Sequence, residues 1–596
     1  MAAFSAGAAL LIFLPDFAAA QDRILVWSDE FSGSSIDLSH WQFGAGASND
    51  NVQYYTNRTD NAVVTGGMLQ IVAKKESYSG YNYTSALLET HDAISWKYGR
   101  IEARIKLPGT PGFVPAFWLL PEDGIYGWWP YSGEIDIMEY PTTQGGTIYG
   151  TIHSEAYSSF TGTAPLGSTL PVADAETAFH IYAVEWTPEK IDFFVDQNKY
   201  FTVTNEHLGH QKWPFDQPFY IILNLAVGGG WVGSPTQSTV FPATMFVDYV
   251  RVYQTLSDIG ISGKDYVQTA AQGVTYALPQ IAGGSYAWTV PSTAQVVSGQ
   301  GTFAMMVNWG NSGGTISAVT TTSSGVAFSV FPVEVSNNLL CNPGFEKGVK
   351  YWKSTMSSAA NGSFALDTLN AHSRHCVKTI VKGQPTNPWD VQISQQGFSL
   401  VSGKKYEARL WARSATSGAK LNAAVINPQV YTNYGGATYT LNSNWVEYTF
   451  QFTASQNATG SFNLDLGTQP ATYYLDDLSL IRLDSQSGIE DGGGSTVPLR
   501  SELEQNYPNP FNPKTGVRFS VLVAREAGAG SWGLAVSVKL NVYDALGREV
   551  AVLVNERKQP GSYEVYFDGS ALPSGMYFYK MTAGKFTATR KMLLVR

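Results

Sequence analysis

Charge is scarce in this chain. Only 14% of its 596 residues are Asp, Glu, Lys or Arg, against roughly a quarter in an average soluble protein. The 38 basic residues are outnumbered by 48 acids, a formal net charge of −10. So few positive charges leave no basic face for phosphate neutralisation, which excludes nucleic acid as the main partner. Cysteine is scarcer still, with Cys341 and Cys376 the only two. One disulfide could form after export, but a disulfide scaffold could not, and two thiols without clustered histidines make no zinc site. After the first twenty residues no apolar run reaches the roughly 18 residues that span a bilayer. No period of about 20–50 residues recurs, which excludes a solenoid or propeller.

Aromatic residues and glycine are plentiful: 16 Trp, 33 Tyr, 30 Phe and 58 Gly. Low charge with abundant rings and turn residues fits β-sandwiches, and does not fit coiled coils, helical bundles or disordered chains. The length gives a prior of roughly four domains. A neutral, hydroxylated ligand that stacks on aromatic rings is compatible with all of this.

The apolar run Ala8 to Leu14, followed by Ala18-Ala-Ala20, reads as an export signal over residues 1–20. The expected product is secreted or attached to the cell surface. Residues 22–254 form one dense stretch of short aromatic-rich strand patterns. Residues 256–335 are rich in Ser, Thr, Gly and Val, and residues 336–484 regain aromatics. Residues 485–498 have linker composition around Gly492-Gly-Gly-Ser495, and residues 499–596 open turn-rich and continue as strand-like runs. The predicted fold class is all-β, a series of sandwiches.

The chemistry concentrates in Gly133-Glu-Ile-Asp-Ile-Met-Glu-Tyr140. A strand alternates its faces, so Glu134 and Asp136 share one and Glu139 falls on the other. One extra residue at Ile137-Met138, a β-bulge, restores Glu139 to the face of the other two, and bulges are frequent beside active sites. Three acids on one face repel each other and separate in pKa, which suits a reaction needing one ionised and one protonated carboxyl. Glycoside hydrolysis with retention is such a reaction, its two carboxyls about 5–5.5 Å apart. A solvated acidic edge strand is the rival reading, and it gives the flanking aromatics no role.

The segment resembles the signature of glycoside hydrolase family 16 in its bulged E-x-D-x-x-E form. The resemblance implies a curved β-jelly roll with a glycan cleft, Glu134 as nucleophile, Glu139 as general acid/base, and Asp136 as the group that tunes Glu134. The bulged form is similar to laminarinases, agarases and carrageenases. Ala47-Ser-Asn-Asp-Asn-Val-Gln-Tyr-Tyr-Thr56 resembles a laminarinase block and implies Asn49 and Gln53 as sugar contacts or cleft supports. Tyr98-Gly-Arg-Ile-Glu-Ala-Arg104 matches a further block, with Arg100 a candidate donor to sugar oxygens. In Pro115-Ala-Phe-Trp-Leu-Leu-Pro121, Trp118 is expected under the sugar at the cleavage point, and Val114 stands where laminarinases often carry Trp. Trp129, His153 and Trp231 complete the expected cleft, since sugar C–H faces stack on rings while hydroxyls bond at the edges.

Residues 256–335, with Ser285-Tyr-Ala-Trp-Thr-Val-Pro291 and Val307-Asn-Trp-Gly310, resemble a PKD-like immunoglobulin sandwich, implying a spacer. Residues 336–484 resemble carbohydrate-binding modules of the family 4/9 type, a second jelly roll. Asn342-Pro-Gly-Phe-Glu346, Trp352, Pro388-Trp-Asp-Val-Gln392, Leu410-Trp-Ala-Arg413 and Asp476-Asp477 carry that likeness. It implies Trp389, Gln392, Arg413 and Tyr431 as ligand contacts, and Glu346 and Asp477 as oxygen ligands for a structural calcium. The tail resembles a C-terminal sorting domain of the type IX secretion system, an immunoglobulin-like β domain. Its matching segments are Asn506-Tyr-Pro-Asn-Pro-Phe-Asn-Pro513, Val542-Tyr-Asp-Ala-Leu-Gly-Arg548 and Ser574-Gly-Met-Tyr-Phe-Tyr579.

These readings converge on a secreted, retaining endo-glycosidase of β-1,3-glucan such as laminarin, with mixed-linkage glucan as a further substrate. It is expected to act as a monomer and to need no cofactor for its chemistry. One alternative is an agarase- or carrageenase-type galactan hydrolase, whose polymer asks for extra cationic groups that do not stand beside the acid strand. Another is a non-catalytic glycan-binding surface protein, which the intact acid triplet argues against.

Overall fold

The computed structural model describes residues 23–47, 52–483 and, toward the C-terminus, 502–503, 506, 511–521, 536–544, 547–558, 561–584 and 586–594. The expected signal at 1–20, Asn49 and the linker at 485–498 lie outside the described residues.

Two-residue alternation builds the first sandwich. In Gly99–Lys106, Ile101, Ala103 and Ile105 are fully buried, while Arg100, Arg104 and Lys106 reach solvent. That strand belongs to an 11-stranded sheet, and its apolar face shares one core with a second sheet. The second sheet has seven strands, in the order Leu166–Pro171, Thr147–His153, Glu134–Glu139, Phe113–Pro121, Phe219–Val227, Leu87–Glu89, Gln42–Phe43. Phe117, Leu119, Ile135, Leu223 and Leu225 point from it into the core with no exposure. Fully burying each such side chain is worth about 1.5–3 kcal/mol. Phe219–Val227 is buried on both faces, so the outer face of this sheet is covered along that strand.

Residues 262–336 form two four-stranded sheets around Tyr276, Trp288 and Trp309. The Trp309 indole donates to the Tyr276 hydroxyl at 3.0 Å. This core is continuous with that of the first sandwich. Residues 353–482 form two five-stranded sheets with a core of their own. Cys341 and Cys376 stand there as free thiols. Among the described residues every helical element is a single short turn, and no helix is long and apolar enough to cross a membrane.

Among the described residues, the C-terminal unit holds a three-stranded and a four-stranded sheet around Val517, Phe519, Leu540 and Tyr579. Asn506, the first residue of its turn-rich motif, is 2% exposed. Its backbone N–H donates to the Tyr579 hydroxyl at 2.6 Å and its side-chain amide to Thr515 at 2.9 Å.

Candidate active site

The acid strand carries the bulge that its sequence demands. Asp136 stands opposite Thr151 and Glu139 opposite Tyr149, so one strand advances by one residue more than its neighbour. On the other side Asp136 faces Trp118 and Met138 faces Phe117, with the same slip. Ile135, Ile137 and Met138 are all fully buried in the core. The extra apolar residue therefore turns Glu139 outward, onto the face of Glu134 and Asp136.

Asp136, at the centre of the row, is dry, while Glu134 and Glu139 are part-exposed at the two ends of the strand. Asp136 is 3% exposed, and His153 Nε2 lies 3.2 Å from its Oδ2. The Trp129 indole N–H donates to Glu134 Oε2, and Glu134 shares a hydrogen bond with Asp136. Burial, then the Asp136 charge, holds Glu134 well above the usual carboxylate range, while His153 and the Trp129 N–H pull it back. Burial and then the Glu139 charge raise Asp136 as well. Burial and then the Glu134 charge push Glu139 up to about 8. Glu134 thus has two partners that favour its ion, His153 and the Trp129 N–H, set against burial and the charge and hydrogen bond of Asp136, whereas Glu139 has only influences that keep its proton.

This asymmetry has a stability consequence. Glu139 has a folded-state pKa above its ordinary 4.5. It therefore contributes stability that is fully present below about pH 4.5 and lost as pH rises through about 8. Glu139→Gln, neutral throughout, is expected to stabilise the catalytic sandwich at pH 8 by about 2–4 kcal/mol and to leave it unchanged at pH 4. Thermal unfolding at the two pH values measures this. A variant no more stable at pH 8 would show that the buried charge carries no penalty.

Aromatic rings flank the acids. Trp118, in register with Asp136, donates its indole N–H to Asn224 Oδ1 at 2.7 Å, and Asn224 donates in turn to the Tyr55 hydroxyl at 3.1 Å. Val114 lies on the Trp118 face of the same strand, part-exposed. Trp129 is 44% exposed beside Glu134, with Phe160 5.7 Å away edge-on. Trp231 is 42% exposed and meets the ring of Tyr149, the partner of Glu139, at 5.0 Å. Open indoles therefore stand near both ends of the acid row. Sequence reasoning had not singled out Asn224, Tyr149 or Phe160. Asn224 did carry a signal, as the one polar side chain within Phe219–Val227 apart from the Tyr220 hydroxyl.

Other expected residues fall elsewhere. Gln53 is fully buried, and its side-chain oxygen accepts the Val227 N–H at 2.7 Å. That is the supporting role, not a sugar contact. Arg100 is a correction: it lies on the outer face of the 11-stranded sheet, paired with Glu102 at 2.7 Å and Glu185 at 3.3 Å. Alternation with the buried Ile101 aims it away from the acid strand.

In the third sandwich the expected ligand residues do not converge. Gln392 alternates with the buried Val391 and Ile393 of one sheet, and Arg413 with the buried Leu410 and Ala412 of the other. The two side chains face outward from opposite sheets. Gln392 donates to Asp465 at 2.7 Å, while the Arg413 guanidinium lies 3.9 Å from the Tyr474 ring centre. Trp389 and Tyr431 are 61% and 79% exposed. Glu346 Oε2 is 3.2 Å from His375 Nδ1, and Asp477 Oδ2 is 2.7 Å from His372 Nδ1.

Residues 49–250 match the Glycosyl hydrolases family 16 profile. Residues 255–332 match a PKD-like domain, 337–471 a carbohydrate binding domain, and 505–595 a secretion system C-terminal sorting domain. Over 243 residues, 39% of this chain, the sequence is 47% identical to a beta-glucanase of Rhodothermus marinus, 85% of which is covered. It is 38% identical over 262 residues to glucan endo-1,3-beta-glucosidase A1 of Niallia circulans, covering 39% of this chain and 38% of that protein. The crystal structure of the laminarinase from Rhodothermus marinus is 45% identical over 39% of this chain and 97% of its own, with a TM-score of 0.38.

Proposed function

The chain belongs to glycosyl hydrolase family 16, and from this we infer that it is a retaining endo-glucanase cutting internal β-1,3 bonds of laminarin-type glucan. The observation that carries the reading is the bulge that presents Glu134, Asp136 and Glu139 on one face between open indoles. Its relatives named for β-glucan and β-1,3-glucan hydrolysis support the substrate.

Glu134, the acid with charge-favouring partners, attacks the anomeric carbon while Glu139 gives its proton to the departing glycosidic oxygen. The sugar is then bound covalently to Glu134. Glu139, now a carboxylate, takes a proton from water, which attacks the same carbon and releases Glu134 with the original configuration restored. Asp136, with His153 Nε2 3.2 Å from its Oδ2 and a hydrogen bond to Glu134, positions the nucleophile and keeps a proton within the row. Trp118, fixed by Asn224, and the open Trp129 and Trp231 give sugar rings apolar faces to stack on. The three side chains supply all the acid, base and nucleophile that this reaction requires.

The substrate is tested by incubating the full chain with laminarin, mixed-linkage glucan, agarose and carrageenan and counting reducing ends. Release from laminarin with retained configuration in early products, read by proton NMR, is expected. Release from agarose alone defeats the substrate reading, and early inversion defeats the mechanism.

The protein is secreted or attached to the cell surface, in keeping with its sorting-domain match. Its carbohydrate binding domain match fits a module that holds the polymer near the cleft, raising effective concentration without adding catalytic groups.

A structural calcium held by Glu346 and Asp477 belongs to this reading. Its support is a group of oxygen donors: Ser373 Oγ lies 3.3 Å from Glu346 Oε1 and 3.1 Å from Asp476 Oδ2, and Asp476 and Asp477 cluster with His372. Asp476 is pushed up to about 6, first by burial, a penalty that a cation would relieve. Chelator is expected to lower the melting temperature of the third sandwich, and added calcium to restore it. No shift removes the ion from the account.

A further inference from the structure

A cavity of about 780 Å³ lies between the first and third sandwiches, within the usual size of ligand sites. Part of its wall extends from the strands that carry the active site. Tyr131 precedes Glu134 by three residues, and Glu155 follows His153 by two. At roughly 3.3 Å per residue the cavity begins within about 10 Å of the acid row. Leu366, Thr368 and His375 of the third sandwich form the opposite side.

The two walls are locked together. Gly124 accepts the Val349 N–H at 3.3 Å. Trp128 donates to the Trp352 carbonyl at 3.2 Å, and its ring meets Phe364 at 5.3 Å. Gly348, at φ +66°, lies so close to the loop that a Cβ there would stand 2.2 Å from the Ile125 carbonyl oxygen. Lys350, 14% exposed, bridges Asp123 of the first sandwich at 2.9 Å and Asp265 of the second at 3.3 Å. A ligand in the cavity would thus meet a wall already assembled, which spares the ordering that weakens binding.

The lining has the chemistry of a neutral sugar site. The ring of Tyr126 stacks on His210 at 4.6 Å and 4°, a flat plate. Of the four lining carboxylates, Asp123 and Asp265 are paired with Lys347 and Lys350, while Glu346 lies 3.2 Å from His375 Nδ1 and Glu155 stands apart, so the wall is acidic and rich in hydrogen-bond acceptors. Both lining lysines are spent, which disfavours phosphate or sulfate. Glu155, the lining acid with no ion pair among the described residues, is left to accept hydroxyl hydrogens.

We propose that this cavity is a second carbohydrate site, taking a segment of the same neutral glucan chain whose cleaved bond lies over Glu134 and Glu139. The proposal rests on the glucanase reading, and its consequence is length dependence. A long chain gains from both sites through effective concentration, while a short oligosaccharide fills the cleft alone.

Gln211 and Thr368 face the cavity from opposite walls, both exposed and with no side-chain hydrogen bond among the described residues. Gln211→Trp and Thr368→Trp fill it without touching the acid row. In the full chain each is expected to raise KM for laminarin about tenfold, the loss of roughly one ring–sugar contact. Their kcat on laminarin, and both constants on laminaritetraose, should stay at wild-type values. If one variant fails to fold, the other wall decides. An unchanged KM for laminarin overturns the site, as does an equal loss on tetraose, which would mean the cleft itself was disturbed. A wild type inactive on both glucans defeats the glucanase reading instead.

Discussion

Glu134→Gln is expected to lower glucan hydrolysis by at least about 10⁴-fold without lowering the melting temperature. The side-chain oxygen of Gln can still accept the Trp129 N–H that Glu134 accepts now, so the indole stays in place. What disappears is the anion that attacks carbon. The change also removes the charge that, after burial, raises Glu139, so the Glu139 pKa should fall toward the ordinary carboxyl value. Reducing-end release, a melting curve and an NMR titration of Glu139 read the three effects separately. Retention of more than a few per cent of activity would assign the nucleophile to another group. Asp136, next in the row, would be the first to test, by Asp136→Asn.

The acid row was legible because its signal is local. Three carboxyls in an apolar strand force a choice between a wasted Glu139 and a bulge, and the core demand of Ile135, Ile137 and Met138 settles it. Arg100 was misread for the complementary reason. A motif fixes neighbours along the chain, but not which sheet the strand joins or which face looks at the cleft. Only the pairing of Gly99–Lys106 with His180–Trp186 and Ala243–Gln254 places it on the far sheet. Gln53 shows a subtler limit. An amide suits a sugar hydroxyl and a backbone N–H equally well, and the closeness of Val227 decides. The same holds for Gln392 and Arg413, which belong to one sandwich but to opposite sheets. The contact of Gly348 with Ile125 joins segments too far apart in sequence for any pattern to register.

Glu139 carries the second large effect, and pH exposes it. As general acid it must hold a proton when substrate arrives, and burial with the Glu134 charge pushes it up to about 8. Activity as kcat/KM should therefore fall as pH rises through about 8. The acid-side limb belongs to Glu134, which must lose its proton to attack and is itself held well above the usual range. Glu139→Ala should lower laminarin cleavage by about 10²–10⁴-fold and abolish the alkaline limb. The loss should depend on the leaving group. A sugar hydroxyl departs poorly as an alkoxide and needs the proton, whereas an acidic phenol departs without one, so formation of the glycosyl-enzyme from an aryl glucoside should be nearly spared. Pre-steady-state release of the phenol, compared with laminarin turnover across pH 5 to about 9, separates these steps. An alkaline limb that survives in Glu139→Ala would belong to another group and would take the acid role away from Glu139.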